Sequence, residues 1–127
     1  MQNNNFLKYY LPFIAYALLV ILVSSIPRLP EPDLGISFLD KIAHFLEYFI
    51  FSLLGLRAID KLSLRYNTTI RYTLFGLFSI VFAALDEWHQ IFIPGRQTDF
   101  FDFVFDSFGL IMGIIFFGSF FNKEKHL

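Results

Sequence analysis

The sequence predicts an all-α membrane protein of four spans, and three observations carry that prediction. Hydrophobic residues make up 56% of the 127 and charged residues only 17%, with 19 phenylalanines among them. A water-soluble domain of this size usually carries about a quarter charged residues and has little room to bury so much Phe, Leu and Ile. Four apolar runs, at about 7–26, 39–59, 72–93 and 100–121, each approach the length a helix needs to cross the hydrocarbon. The breaks between runs are polar, and the first and third hold the helix-stopping prolines at 27, 30, 32 and 94. The whole chain, 1–127, reads as one membrane domain whose immediate partners are membrane lipids.

Charge and cysteine content narrow the function classes. The formal net charge of −1 gives no basic footprint for nucleic acid, and the absence of cysteine removes disulfide frameworks and thiolate metal sites. The first run starts behind a short polar M-Q-N-N-N with little charge and is long for a signal peptide, so it reads as a retained span. Pro12 sits in its first turns, where a missing amide costs least. Ser24 and Ser25, at its far end, are expected to cap or bond locally. The connector I-P-R-L-P-E-P-D then favours extended backbone.

The second run opens D-K-I-A-H-F-L-E-Y, an expensive start for a lipid-embedded helix. Asp40, His44 and Glu47 fall at offsets of four and three and share one helical stripe, with Lys41 and Tyr48 on the neighbouring one. Such a stripe is expected to face other helices. The second connector, 57–71, is the most basic part of the chain, with Arg57, Lys61, Arg65 and Arg71 against Asp60. The third run turns polar at its end through Asp86, Glu87, His89 and Gln90, and Pro94 with Gly95 marks a tight turn. In the fourth, Asp99, Asp102, Asp106, Gly109 and Gly113 form one stripe, acidic at one end and small further in, where another helix can approach closely.

Four spans put both termini on one side of the membrane. Lys8, Arg57, Lys61, Arg65, Arg71, Lys123 and Lys125 lie at one set of ends, against Arg28, Lys41 and Arg96 at the other. The positive-inside rule then places the termini in the cytoplasm and the polar stripes at the outer face. Carboxylates gathered there repel one another unless neutral or paired. Arg96 is the expected partner, for Asp99 above all, with Lys41 and His44 as the other cations. Glu87 is the first candidate for a general acid or base, with Asp102 and His44 beside it as proton-handling groups. Arg96, Lys41, Gln90 and Asp99 are candidates for holding an anionic group. Asp40, Glu47, Tyr48, Pro94, Gly95, Asp106, Gly109 and Gly113 are read as structural. His44 is expected to bond Glu or Tyr, and His89, beside Trp88, to lie at the membrane interface. No recognised metal-ligand spacing occurs, so neither a metal nor another cofactor is assigned.

D-K-I-A-H-F-L-E-Y at 40–48, D-E-W-H-Q-I-F-I-P-G-R at 86–96 and D-F-V-F-D-S-F-G-L-I-M-G at 102–113 together resemble the VanZ-like family of small bacterial membrane proteins. The matching positions are Asp40, Lys41, His44, Tyr48, Glu87, Gln90, Pro94, Gly95, Arg96, Asp102, Gly109 and Gly113. The family commonly has Asn where this chain has Asp106. The resemblance implies a multi-pass protein of the bacterial inner membrane with a cell-envelope role. The family takes its name from a member associated with low-level resistance to the glycopeptide teicoplanin. Two functions follow as expectations: an outward-facing site for an anionic or lipid-linked envelope intermediate or a glycopeptide, or a non-enzymatic protein that binds or gates a small solute or scaffolds a partner. The polar stripes could meet within one chain or across a homo-oligomer.

Overall fold

The computed structural model describes residues 2–27 and 37–121. The connector prolines at 30 and 32, together with Arg28, Lys123 and Lys125, lie outside the described residues. Among the described residues all regular structure is helical. After a helical turn at Gln2–Asn5 and a π-helical stretch at Phe6–Tyr10 come α1 (Leu11–Ser24), α2 (Ser37–Ile59), α3 (Thr68–Gln90) and α4 (Phe100–Phe121). Four segments, Phe6–Ser24, Phe38–Ile59, Thr68–Gln90 and Phe100–Phe121, are long and apolar enough to cross a membrane.

Local sequence explains the boundaries. Pro12 has no amide to offer the carbonyl one turn earlier, and the chain before it takes the wider π spacing, with the Leu11 amide donating to the Phe6 carbonyl. The third helix begins at Thr68, earlier than the apolar run suggests, because the Asn67 side chain accepts from the Ile70 amide at 2.9 Å and caps it. It ends at Gln90 rather than 93: Ile91–Ile93 form turns leading to Pro94 and Gly95, whose φ of 75° is open to glycine at little cost. Asp99 caps α4 by accepting from the Phe101 amide at 2.9 Å.

The most extensive packing is between α2 and α4. Gly109 and Gly113 make it possible, since a Cβ at Gly109 would stand 2.2 Å from the Phe45 carbonyl oxygen and one at Gly113 2.9 Å from that of Phe49. The fully buried Tyr48, Phe51, Leu56 and Leu110 fill the centre, and Phe13, Phe51 and Phe75 meet ring to ring. Leu18, Leu22, Leu77, Phe78 and Ile115 point outward, an apolar exterior suited to lipid rather than water. Charge gathers at both ends of the bundle. At one, Lys8, Arg57 and Lys61 surround the Tyr9 ring, and Arg71 pairs with Asp60 at 3.4 Å. The other holds the acidic stripes.

Candidate polar site between the helices

The predicted stripes meet within one chain. The Lys41 ammonium, on the first turns of α2, bonds Asp99 at 2.7 Å and also reaches Asp102. Its side chain is 13% exposed, Asp102 6% and Asp99 44%, so one ammonium serves a buried and a half-exposed carboxylate together. With the Lys41 ammonium and the Phe101 amide beside it, the Asp99 carboxyl is held below its usual range.

One turn along α2, His44 stands between two aspartates of α4. Its Nδ1 lies 2.8 Å from Asp106 Oδ1 and its Nε2 3.7 Å from Asp102 Oδ2. The expected bond to Glu or Tyr is therefore replaced by one across to the facing helix: Glu47 lies along α2 from His44, whereas Asp106 is presented at close range by the glycine-mediated approach of α4. Tyr48 donates instead to Asp86 Oδ2 at 3.4 Å, and Glu47 offers its backbone carbonyl to the Tyr16 hydroxyl at 2.8 Å.

A second correction concerns Ser24. Rather than bonding within its own helix, its hydroxyl donates to Asp86 Oδ1 at 2.5 Å, tying the end of α1 to α3. Ser25 keeps the local bond, to the Ile21 carbonyl at 2.7 Å, and its Oγ also lies 3.0 Å from His89 Nε2. Asp86, held by two hydroxyls, is a member of the site that residue-by-residue reading of its own helix undervalues. The available signal was that Ser24 and Asp86 both fall toward the polar ends of their spans; Tyr48, at the middle of α2, gave none.

The third correction is Arg96. Among the described residues, the ammonium on Asp99 and Asp102 is that of Lys41, while Arg96 sends Nε to the Ile26 carbonyl at 3.1 Å and Nη2 to that of Val23 at 2.5 Å. The guanidinium thus closes the carbonyl end of α1, where the last turn leaves acceptors without intrahelical donors. The Pro94–Gly95 turn puts it there. Gln90 is buried one turn beyond Asp86, its carbonyl accepting from the Ile93 amide at 3.2 Å.

Glu87 stands apart from this bonding. Its side chain is buried, yet neither carboxylate oxygen has a hydrogen-bond partner among the described residues, and the same holds for Asp106 Oδ2. One ligand atom from each of His44, Glu87 and Asp106 lies within 4.8 Å of the others, and Asp40, His44 and Asp102 form a second such group. Glu87 also lines a cleft of about 280 Å³ between α3 and the start of α4, with Trp88, Ile91, Phe100 and Phe103 as apolar walls and Thr98 and Asp99 as polar ones.

The arrangement is one of polar side chains from all four helices, with one buried carboxylate left over at a cleft. No curated protein and no solved structure matches this chain. The VanZ/LLP1 family matches residues 3–121, which take in every helix and every residue of the network just described, and the chain belongs to that family.

Proposed function

We propose that this VanZ-family protein binds the polar end of an anionic, lipid-linked cell-envelope intermediate at the outer face of the bacterial inner membrane. Glu87 carries the reading. A buried carboxylate without partners is costly, more so at membrane depth, and is kept where a ligand or a proton is to be received. The cleft at Glu87 suits an amphiphile: Trp88, Phe100 and Phe103 offer apolar wall, and Thr98 and Asp99 offer hydrogen-bonding groups. Its size, about 280 Å³, fits a headgroup or a short length of chain better than a whole glycopeptide. Lys41, which bridges Asp99 and Asp102, and Arg96, which bonds the Val23 and Ile26 carbonyls, are the permanent positive charges that the anionic group would draw from these partners, with Gln90 and Asp99 orienting it. Glu87, Asp102 and His44 handle protons. The outward orientation rests on the asymmetry of Lys and Arg between the two sets of helix ends.

The test uses protein in nanodiscs of zwitterionic lipid, titrated with a long-chain prenyl phosphate. Saturable binding is expected, weakened by Arg96→Gln, together with any turnover of the lipid being abolished by Glu87→Gln while the folded fraction is kept. Failure to bind, or a Glu87→Gln variant that loses fold and function in parallel, overturns the reading.

A second reading has its own observation. Lys41, His44, Ser24, Tyr48 and Arg96 bind α1, α2, α3 and the approach to α4 to one another, which is what a non-enzymatic helix-packing network would do. That reading accounts for every one of these contacts except the unpartnered Glu87, and it expects Glu87→Gln to change nothing.

A further inference from the structure

We infer that His44, Glu87 and Asp106 form a binding site for one divalent transition-metal cation. The inference goes beyond the headgroup reading; it shares with that reading the unpartnered Glu87 carboxylate and adds His44 and Asp106 beside it. Charge is the first. Lys41 serves Asp99 and Asp102, and the Ser24 and Tyr48 hydroxyls serve Asp86, whereas Asp106 has the His44 imidazole on Oδ1 alone and the buried Glu87 carboxylate has no hydrogen-bond partner among the described residues. Two buried carboxylates side by side cannot both stay ionised without a cation. A histidine is already among them.

The second observation is the orphaned acceptors. Glu87 is more than nine-tenths buried and Asp106 completely so, yet both Glu87 oxygens and Asp106 Oδ2 accept no hydrogen bond among the described residues. Buried carboxylate oxygens normally find donors, and three orphans in one place mark room for something that accepts lone pairs. Geometry is the third. The three ligand atoms lie within 4.8 Å of one another. A cation bound at about 2.1 Å to each holds its ligands roughly 3.0–3.4 Å apart, so the set closes with a side-chain adjustment of at most about 2 Å. His44 Nδ1 and Asp106 Oδ1 stand at 2.8 Å as a hydrogen-bonded pair, whose shared proton the ion would displace.

One imidazole nitrogen and two carboxylates make a mixed N and O set, the kind taken by Zn²⁺ or Mn²⁺, and two charges on the ion neutralise the two carboxylates. The neighbouring group of Asp40, His44 and Asp102 is the weaker candidate because the Lys41 ammonium already occupies Asp102. Of the three residues Glu87 alone also lines the cleft between α3 and the start of α4.

The experiment measures metal directly, without lipid ligand. Protein in nanodiscs is stripped with chelator, incubated with Zn²⁺ or, in parallel, Mn²⁺, desalted and analysed by elemental mass spectrometry. The thermal midpoint is followed alongside. Wild type is expected to retain about one equivalent of at least one of the two ions and to gain thermal stability from it. Glu87→Gln and Asp106→Asn should each lose retention by about tenfold or more while eluting as folded protein, and Asp40→Asn should keep it. Absence of both retention and a midpoint shift in wild type overturns the inference, leaving a proton shared between Glu87 and Asp106. Loss in Asp40→Asn with retention in Glu87→Gln moves the ion to the other group and overturns it equally. Prenyl phosphate binding measured in the presence of chelator tests the headgroup reading separately.

Discussion

Lys41 illustrates how much one side chain can carry in a site of low dielectric. It is the shared cation of a buried and a half-exposed carboxylate, and Lys41→Met leaves Asp102 buried without a countercharge. Breaking a buried pair from one side typically costs about 3–5 kcal/mol. The variant is expected to lose stability of that order in detergent unfolding, and adding Asp102→Asn should restore most of it. Glu87 gives the opposite expectation. Since its oxygens hold no hydrogen bond among the described residues, Glu87→Gln removes a buried charge and no bond, so its metal-free unfolding midpoint should equal or exceed that of wild type. A fall comparable to that of Lys41→Met would show that Glu87 has a structural partner. Asp99 adds a pH dependence. Its carboxyl is lowered from an ordinary 3.8, so the unfolded state takes up the proton first on acidification. The stabilisation is complete above 3.8 and is lost as pH falls through the lower value of the folded state. The difference in midpoint between wild type and Asp99→Asn should therefore be constant at neutral pH and shrink below 3.8.

At the scale of the helices, the α2–α4 contact decides the site's geometry. Without lipid-excluding hydrophobic drive, helices in a bilayer associate through close packing, and small residues set how close they come. A methyl group at Gly109 or Gly113 meets backbone of α2, which cannot step aside as a side-chain tip can. Gly109→Ala is expected to cost about 1–3 kcal/mol by forcing the helices apart, and to lengthen the His44–Asp106 contact. Gly76→Ala is the matching control. There the added Cβ meets only the tip of Ile114 at 3.3 Å, and the gain in helix propensity offsets the crowding, so the thermal midpoint should barely move. Equal effects of the two substitutions would remove the α2–α4 approach as the determinant.

For the molecule as a whole, the consequence is polarity along the membrane normal. One end gathers Ser24, Ser25, Lys41, His44, Asp86, Glu87, Arg96 and Asp99, and the other surrounds Tyr9 with three cations. Which end faces out is a matter of charge bias, and the lack of native cysteine makes it directly measurable. Thr98→Cys, on the exposed loop before α4, is expected to react with an impermeant thiol reagent in intact cells. Ser63→Cys, in the exposed second connector and clear of the Asn67 cap, should require permeabilisation. The reverse pattern would turn the polar end to the cytoplasm and redirect the search to cytoplasmic ligands.

Hydropathy and helical periodicity by themselves determined the four spans, their approximate limits, and the faces of α2, α3 and α4 that turn inward. Those properties are local: about 20 apolar residues and a 3.6-residue repeat are enough to state them. Partner choice was not local. The pairing of Lys41 rather than Arg96 with Asp99 and Asp102, the reach of Ser24 to Asp86, and His44 facing Asp106 rather than its own helix depend on the rotation and depth of each helix against its neighbours. A polar stripe fixes a direction from one axis, and two stripes can meet at many registers. The backbone approach at Gly109 and Gly113 selects one register of α4 against α2, and in the assembled bundle the Glu87 carboxylate on α3 is left without a hydrogen-bond partner among the described residues.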